Sequence, residues 1–202
     1  RLPEDDDGLP AQARHWAGAP EWAECLPVPG TQAAIQALPC LKTPGRIGVP
    51  EPGYAEHAEG WRAAGHEIIP FPQLPSDREL AELDGLVWIN PNNPTGEAVQ
   101  ASDLLACHEQ LAAHGGWLVV DEAFIDAEPT QTLVPETGRE GVVVFRSMGK
   151  FFGLAGLRAG LVFGPAGTCG LLGELLGPWA VSHPARYLMQ QALADRQWQE
   201  AA

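Results

Sequence analysis

Three unbroken apolar runs constrain this chain more than anything else in it: Leu86-Val87-Trp88-Ile89, Trp117-Leu118-Val119-Val120 and Val142-Val143-Val144-Phe145. Four large side chains in succession leave neither face of a strand for solvent, so each run predicts a strand covered on both sides, as in parallel sheets. Further strand candidates lie at 46–49, 66–71 and 160–163. Helical periodicity falls between them, at 33–38, 54–64, 102–113, 171–176 and 185–199, with Ser102 a candidate N-cap. Strands alternating with helices imply an α/β fold, a three-layer sandwich around a mostly parallel sheet. Residues 1–29, acidic and then rich in Pro and Trp, read as an N-terminal arm. Residues 30–180 read as one large domain, and 181–202 as the start of a connecting helix.

In such sheets ligands bind beyond the carboxyl ends of the strands. Each apolar run here is followed by reactive or turn-forming residues: the Asn90-Pro91-Asn92-Asn93-Pro94-Thr95-Gly96 cluster, then Asp121, then Lys150. Lys150 is one of only two lysines, the other being Lys42. An amine at the edge of a glycine-rich segment, with Arg158 eight residues on, suits a Schiff-base lysine beside a phosphate site. Asp121 ends an apolar strand, where a carboxylate is costly unless it has a partner; a protonated pyridine nitrogen would serve, as would an N-cap or a structural hydrogen bond. Gly30-Thr31-Gln32 opens a helix and offers free N–H groups and a hydroxyl to an anion, or equally caps an ordinary helix. Asn93 can present an amide to an aromatic oxygen or simply build its turn. Arg158, among Gly153, Gly156 and Gly160, suits a phosphate or an exposed loop. Tyr54 can stack on a planar ring or pack on the core.

Composition narrows the partners. A formal net charge of −14 and a pI near 4.7 argue against nonspecific nucleic-acid or anionic-membrane binding. No apolar run approaches the ~20 residues of a membrane span. The acidic stretch Glu4-Asp5-Asp6-Asp7 has the wrong charge for a signal peptide. Cys25, Cys40, Cys107 and Cys169 are widely spaced without a metal pattern, and are expected to be buried or half-buried thiols of a cytoplasmic protein.

Taken together, Asn92-Asn93-Pro94-Thr95-Gly96, Asp121-Glu122-Ala123-Phe124, Ser147-Met148-Gly149-Lys150 and the segment from Gly153 to Gly160 resemble the fold-type-I pyridoxal-phosphate enzymes. The likeness extends from about Leu2 to Trp198. It is closest to the histidinol-phosphate aminotransferase branch, and within it to the threonine-phosphate decarboxylases, through residues 26–38, 54–57 and 149–156. It implies pyridoxal 5′-phosphate as cofactor, Lys150 bonded to it and later moving protons, and Asp121 on the pyridine nitrogen. Asn93 would contact the ring oxygen, Tyr54 the ring face, and Gly30, Thr31, Gln32, Ser147 and Arg158 the phosphate. It further implies a phosphorylated amino-acid substrate, a homodimer, and a smaller C-terminal domain, absent from this chain, that carries the arginine for the substrate carboxylate. The expected reaction is decarboxylation of L-threonine O-3-phosphate in cobalamin biosynthesis. Histidinol-phosphate transamination is the alternative, and a noncatalytic cofactor-binding scaffold a third reading. Phe124 stands where many relatives have Tyr, and Gly149 where many have Ser or Thr. His15-Trp16 lacks the aromatic hydroxyl that relatives lend to a partner subunit's phosphate site.

Overall fold

The computed structural model describes residues 7–202; the acidic residues 4–6 lie outside them. In chain order the elements are α1 (Leu9–Ala17), β1 (Ala23–Val28), α2 (Thr31–Ala37), β2 (Arg46–Pro50), α3 (Ala55–Ala63), β3 (Glu67–Phe71), α4 (Asp77–Leu80), β4 (Gly85–Ile89) and α5 (Ala101–Ala112). Then come β5 (Trp117–Asp121), β6 (Val142–Ser147), β7 (Gly160–Pro165), α6 (Ala166–Leu176), α7 (His183–Ala194) and α8 (Arg196–Ala201). The strands form one sheet in the order β1-β7-β6-β5-β4-β2-β3. Strand β7 runs antiparallel to both neighbours, and every other pairing is parallel.

The apolar runs are strands buried on both faces, and their residues alternate between two cores. Leu86, Trp88, Leu118, Val120, Val142 and Val144 pack with Leu9, Leu104, Leu111 and Met189, beneath α1, α5 and α7. Val87, Val119, Val143 and Phe145 pack with Ile35, Leu38, Trp61 and Leu172, beneath α2, α3 and α6. This is the expected three-layer arrangement. Each large side chain so buried contributes about 1.5–3 kcal/mol relative to exposure.

Four expectations are corrected. Residues 9–28 are not an arm: α1 packs on α7, and β1 is an edge strand of the sheet paired with β7. Pro27 lies within β1, and an edge strand tolerates a residue that cannot donate. Ser102 is not an N-cap; it lies inside α5, whose cap is Gln100 without a side-chain bond. The span 185–199 is two helices, because Asp195 leaves helical geometry and its carboxylate accepts from Trp198 N, starting α8. Helix α6 begins five residues before its apolar pattern, since Gly167 and Gly170 dilute the signal. Of the cysteines, Cys25, Cys107 and Cys169 are buried and Cys40 is exposed; all four are free.

Candidate active site

The topology decides where the reactive residues go. Strands β1, β2, β4, β5 and β6 share one direction, so their carboxyl ends meet one edge of the sheet. Strand β7 is reversed, so its beginning meets the same edge. That edge therefore receives Gly30 after β1, Tyr54 after β2, Asn93 after β4, Asp121 ending β5, Ser147 and Lys150 from β6, and Arg158 before β7. All nine residues selected from the sequence (Gly30, Thr31, Gln32, Tyr54, Asn93, Asp121, Ser147, Lys150 and Arg158) line one cavity of about 380 Å³.

Asp121 forms its floor. The carboxylate is 4% exposed; Oδ1 accepts from Ala123 N at 3.0 Å, and Oδ2 is 2.8 Å from His57 Nε2. His57, on the first turn of α3, is 1% exposed and stacks on Phe145 with ring centroids 6.2 Å apart. These contacts hold the carboxylate without exhausting its acceptor capacity, since an ionised carboxylate offers about four lone-pair directions. Lys150 is exposed in the turn between β6 and β7, its Nζ 5.2 Å from the Phe124 ring centroid. Phe124 thus provides an aromatic face, with no hydroxyl, beside the amine.

The opposite end suits an anion. Helix α2 begins without a side-chain cap, leaving its first amides free, and the Ser147 hydroxyl lies nearby, accepting from Gly149 N at 3.1 Å. Arg158 has left-handed backbone geometry, φ 52°, and lays its guanidinium against Gly30. Gly30 itself has φ 81°, and a Cβ there would stand 2.7 Å from Arg158 Nη2. Only glycine leaves that guanidinium its place. Asn92 ties the Asn-Pro turn to the loop before Tyr54 through Nδ2, which donates to Pro52 O at 2.9 Å.

Gln32 differs from expectation. Its side chain faces its neighbours: Nε2 donates to Glu56 Oε2 at 2.5 Å, and Oε1 accepts from Tyr54 Oη at 3.2 Å. Tyr54, 40% exposed, forms one wall. Burial first, then the charges of Glu56 and Asp121, hold its phenol above the usual value, against the opposing effect of Arg158.

Sequence reasoning assigned no role to His57, Glu56 or a buried ionic cluster behind the site. In that cluster Glu122 Oε1 accepts from Leu133 N and Oε2 from Thr132 Oγ1, each at 2.6 Å. Arg146 pairs with Asp126, lies 3.5 Å from Glu122 Oε2, and covers the Trp16 ring at 4.7 Å. Burial pushes Glu122 up to about 7, with Arg146 and the two donors opposing it. Trp16 is packed between Arg146 and Phe152; Trp22 is 74% exposed.

A buried carboxylate, an exposed primary amine, an aromatic wall and an anion cradle that a Cβ would fill match the parts of pyridoxal phosphate: ring nitrogen, aldehyde, ring face and phosphate. The residues present fit that group.

Comparison with known proteins agrees. The family model for aminotransferase class I and II matches residues 18–201. The chain is 49% identical over 199 residues to a threonine-phosphate decarboxylase of Pseudomonas aeruginosa, covering 98% of this chain and 59% of that protein. It is 37% identical over 131 residues to a histidinol-phosphate aminotransferase of Baumannia cicadellinicola, covering 61% of this chain and 35% of that protein. Among solved structures, the L-threonine-O-3-phosphate decarboxylase from Porphyromonas gingivalis superposes with a TM-score of 0.81 at 24% identity, covering 99% of this chain and 65% of that one. That likeness establishes the fold.

Proposed function

The chain belongs to the class I and II aminotransferases, a family built around pyridoxal 5′-phosphate, and on that premise we propose that it serves the decarboxylation of L-threonine O-3-phosphate to aminopropanol phosphate in cobalamin biosynthesis. The observation that carries this reading is the convergence of Lys150, Asp121 and Arg158 on one cavity. Identity to a decarboxylase along 98% of the chain favours it over transamination, where the aminotransferase match covers 61%.

When bound, the cofactor supplies an aldehyde for the substrate amine and a protonated ring that accepts the electron pair left when a bond to Cα breaks. Asp121 would hold the proton on the ring nitrogen, and His57 would keep that carboxylate aimed. The Thr31 amide beside the Gly30 turn, the Ser147 hydroxyl and the Arg158 guanidinium would bind the phosphate. Asn93 would meet the ring oxygen. Tyr54 would cover one ring face and exclude water from it. Lys150 Nζ, on a turn beside the aromatic face of Phe124, is the amine placed to return a proton to Cα after carbon dioxide leaves.

The protein is further read as a cytoplasmic homodimer. Support comes from four free cysteines, and from Leu171, Leu175 and Trp179, exposed on and just beyond one ridge of α6. Among the described residues no helix is long and apolar enough to cross a membrane.

The test is to incubate full-length protein with pyridoxal phosphate and L-threonine O-3-phosphate. Release of carbon dioxide is expected. Amino transfer from histidinol phosphate to a keto acid, without carbon dioxide, would overturn the reading. A bound cofactor whose visible absorbance never responds to substrate would favour a scaffold.

A further inference from the structure

Tyr54, Gln32 and Glu56 form a hydrogen-bonded line across the mouth of the cavity. Tyr54 Oη donates to Gln32 Oε1 at 3.2 Å, and Gln32 Nε2 donates to Glu56 Oε2 at 2.5 Å. The direction of this line is set at one end. A carboxylate only accepts, so Glu56 requires the nitrogen of the Gln32 amide, and the amide oxygen is left facing Tyr54. With Glu56 removed, either end of the amide could turn towards the phenol. The phenol keeps its proton over a wide range, because burial and then the charges of Glu56 and Asp121 raise it, so Tyr54 remains the donor.

We propose that Glu56 is a positioning residue that acts through Gln32 to fix the Tyr54 ring over the cavity. The need for such a device is visible in the surroundings. Tyr54 is 40% exposed, and its remaining ring contact is edge-on to His57, with centroids 6.2 Å apart at 80°. That contact leaves the ring free to swing about its own side-chain bonds. The hydroxyl bond supplies the second anchor, and it joins the first turn of α2, which bears the anion cradle, to the first turn of α3, which bears His57. The role of Glu56 rests on the cofactor reading above; the geometry of the line does not.

A purely structural role competes with this one. Glu56 lies in the first turn of α3, where a negative charge is favourable. Glu56→Gln separates the two. It deletes the charge but keeps an oxygen that can accept from Gln32 Nε2, so the three side chains stay linked although the direction of the line is no longer imposed; Glu56→Ala deletes both charge and acceptor.

In full-length protein carrying 3-fluorotyrosine, the fluorine resonance that disappears in a Tyr54→Phe variant is that of Tyr54. In cofactor-free protein, Glu56→Ala and Gln32→Leu are expected to move that resonance to the same solvent-exposed position, with the double variant moving no further. Glu56→Gln is expected to stay near the original position. Pyridoxal phosphate affinity should fall roughly fivefold in Glu56→Ala and Gln32→Leu, the equivalent of one net hydrogen bond. A resonance indifferent to Glu56→Ala, or moved equally by Glu56→Ala and Glu56→Gln, overturns the proposal. If the resonance behaves as expected while even the unsubstituted protein binds no pyridoxal phosphate, the line stands and the cofactor reading falls.

Discussion

Gly30→Ala tests whether the anion cradle works as its geometry indicates. Gly30 has φ 81° and ψ 150°, a combination open essentially to glycine alone. An alanine forced into it costs about 1–3 kcal/mol. For a chain of this size, Tm falls by about 2–4 °C for each kcal/mol. A second effect is separate from strain. The new Cβ would lie 2.7 Å from Arg158 Nη2 and 3.3 Å from Cζ. Arg158 is exposed, so its guanidinium can move away at little cost to the fold. The loss then falls on the phosphate that the guanidinium would have met. A hydrogen bond to a charged group is worth about 1.5–3 kcal/mol, so pyridoxal phosphate affinity should drop roughly 10- to 150-fold.

The two effects are read by different assays: thermal unfolding of cofactor-free protein for strain, and a cofactor titration followed by absorbance for affinity. A double-substitution cycle connects them. In an Arg158→Ala background nothing remains for the new Cβ to displace, so the affinity cost of Gly30→Ala should largely vanish while the Tm cost persists. Equal affinity penalties in both backgrounds would refute the contact between Gly30 and Arg158 as the operative one.

Asp121→Asn keeps the shape of the side chain but removes its charge, and should lower turnover by roughly 10- to 150-fold while cofactor still binds, as judged by activity against visible absorbance; that range corresponds to the about 1.5–3 kcal/mol of a charged hydrogen bond. Glu122 is pushed up to about 7, above the ~4.3 of an unfolded glutamate, so the folded chain holds a proton that the unfolded chain loses between those values. Its stabilising contribution is therefore complete at low pH and declines as pH rises towards 7, by at most about 1.4 kcal/mol per pH unit; Tm of wild type relative to Glu122→Gln should fall over that interval. Burial raises the thiols of Cys25, Cys107 and Cys169, the latter two to about 11 and about 12. Cys40 alone of the four is exposed, so a thiol reagent at neutral pH should modify Cys40 and spare Cys25, Cys107 and Cys169, as read by peptide mass mapping.

The legible and the hidden parts of this protein differ in a physical way. Apolar runs announce buried strands because both faces of the central sheet are covered, and each residue's environment then agrees with its neighbours' in sequence. Lys150, Asp121 and Asn93 were legible because a parallel sheet delivers strand ends to one edge, so position along the chain already implies position in space. His57 was not legible, since its meaning depends on Asp121, sixty-four residues away, and a lone histidine on a helix carries no sign of that pairing. Glu122 and Arg146 were hidden for the same reason. Strand β1 was obscured by Pro27 and helix α6 by its glycines, where local preference yields to tertiary packing.

The reversed strand is what makes so small a set of loops sufficient. Had β7 been parallel to β6, the connection between them would have had to cross the sheet, and the residues preceding β7 would lie at the far edge. Because β7 is antiparallel, one hairpin turn carries both Lys150 and Arg158 at the same edge, eight residues apart. The reversal also brings the first residue of β7 beneath the first turn of α2. A Cβ on Gly160 would stand 3.0 Å from Thr31 N, so the glycine at the start of β7 lets the amides of α2 approach the hairpin that bears Arg158. The anion cradle is thus a product of sheet topology and two glycines, Gly30 under the guanidinium and Gly160 under the amide. A larger side chain at either should damage phosphate binding well before it unfolds the chain.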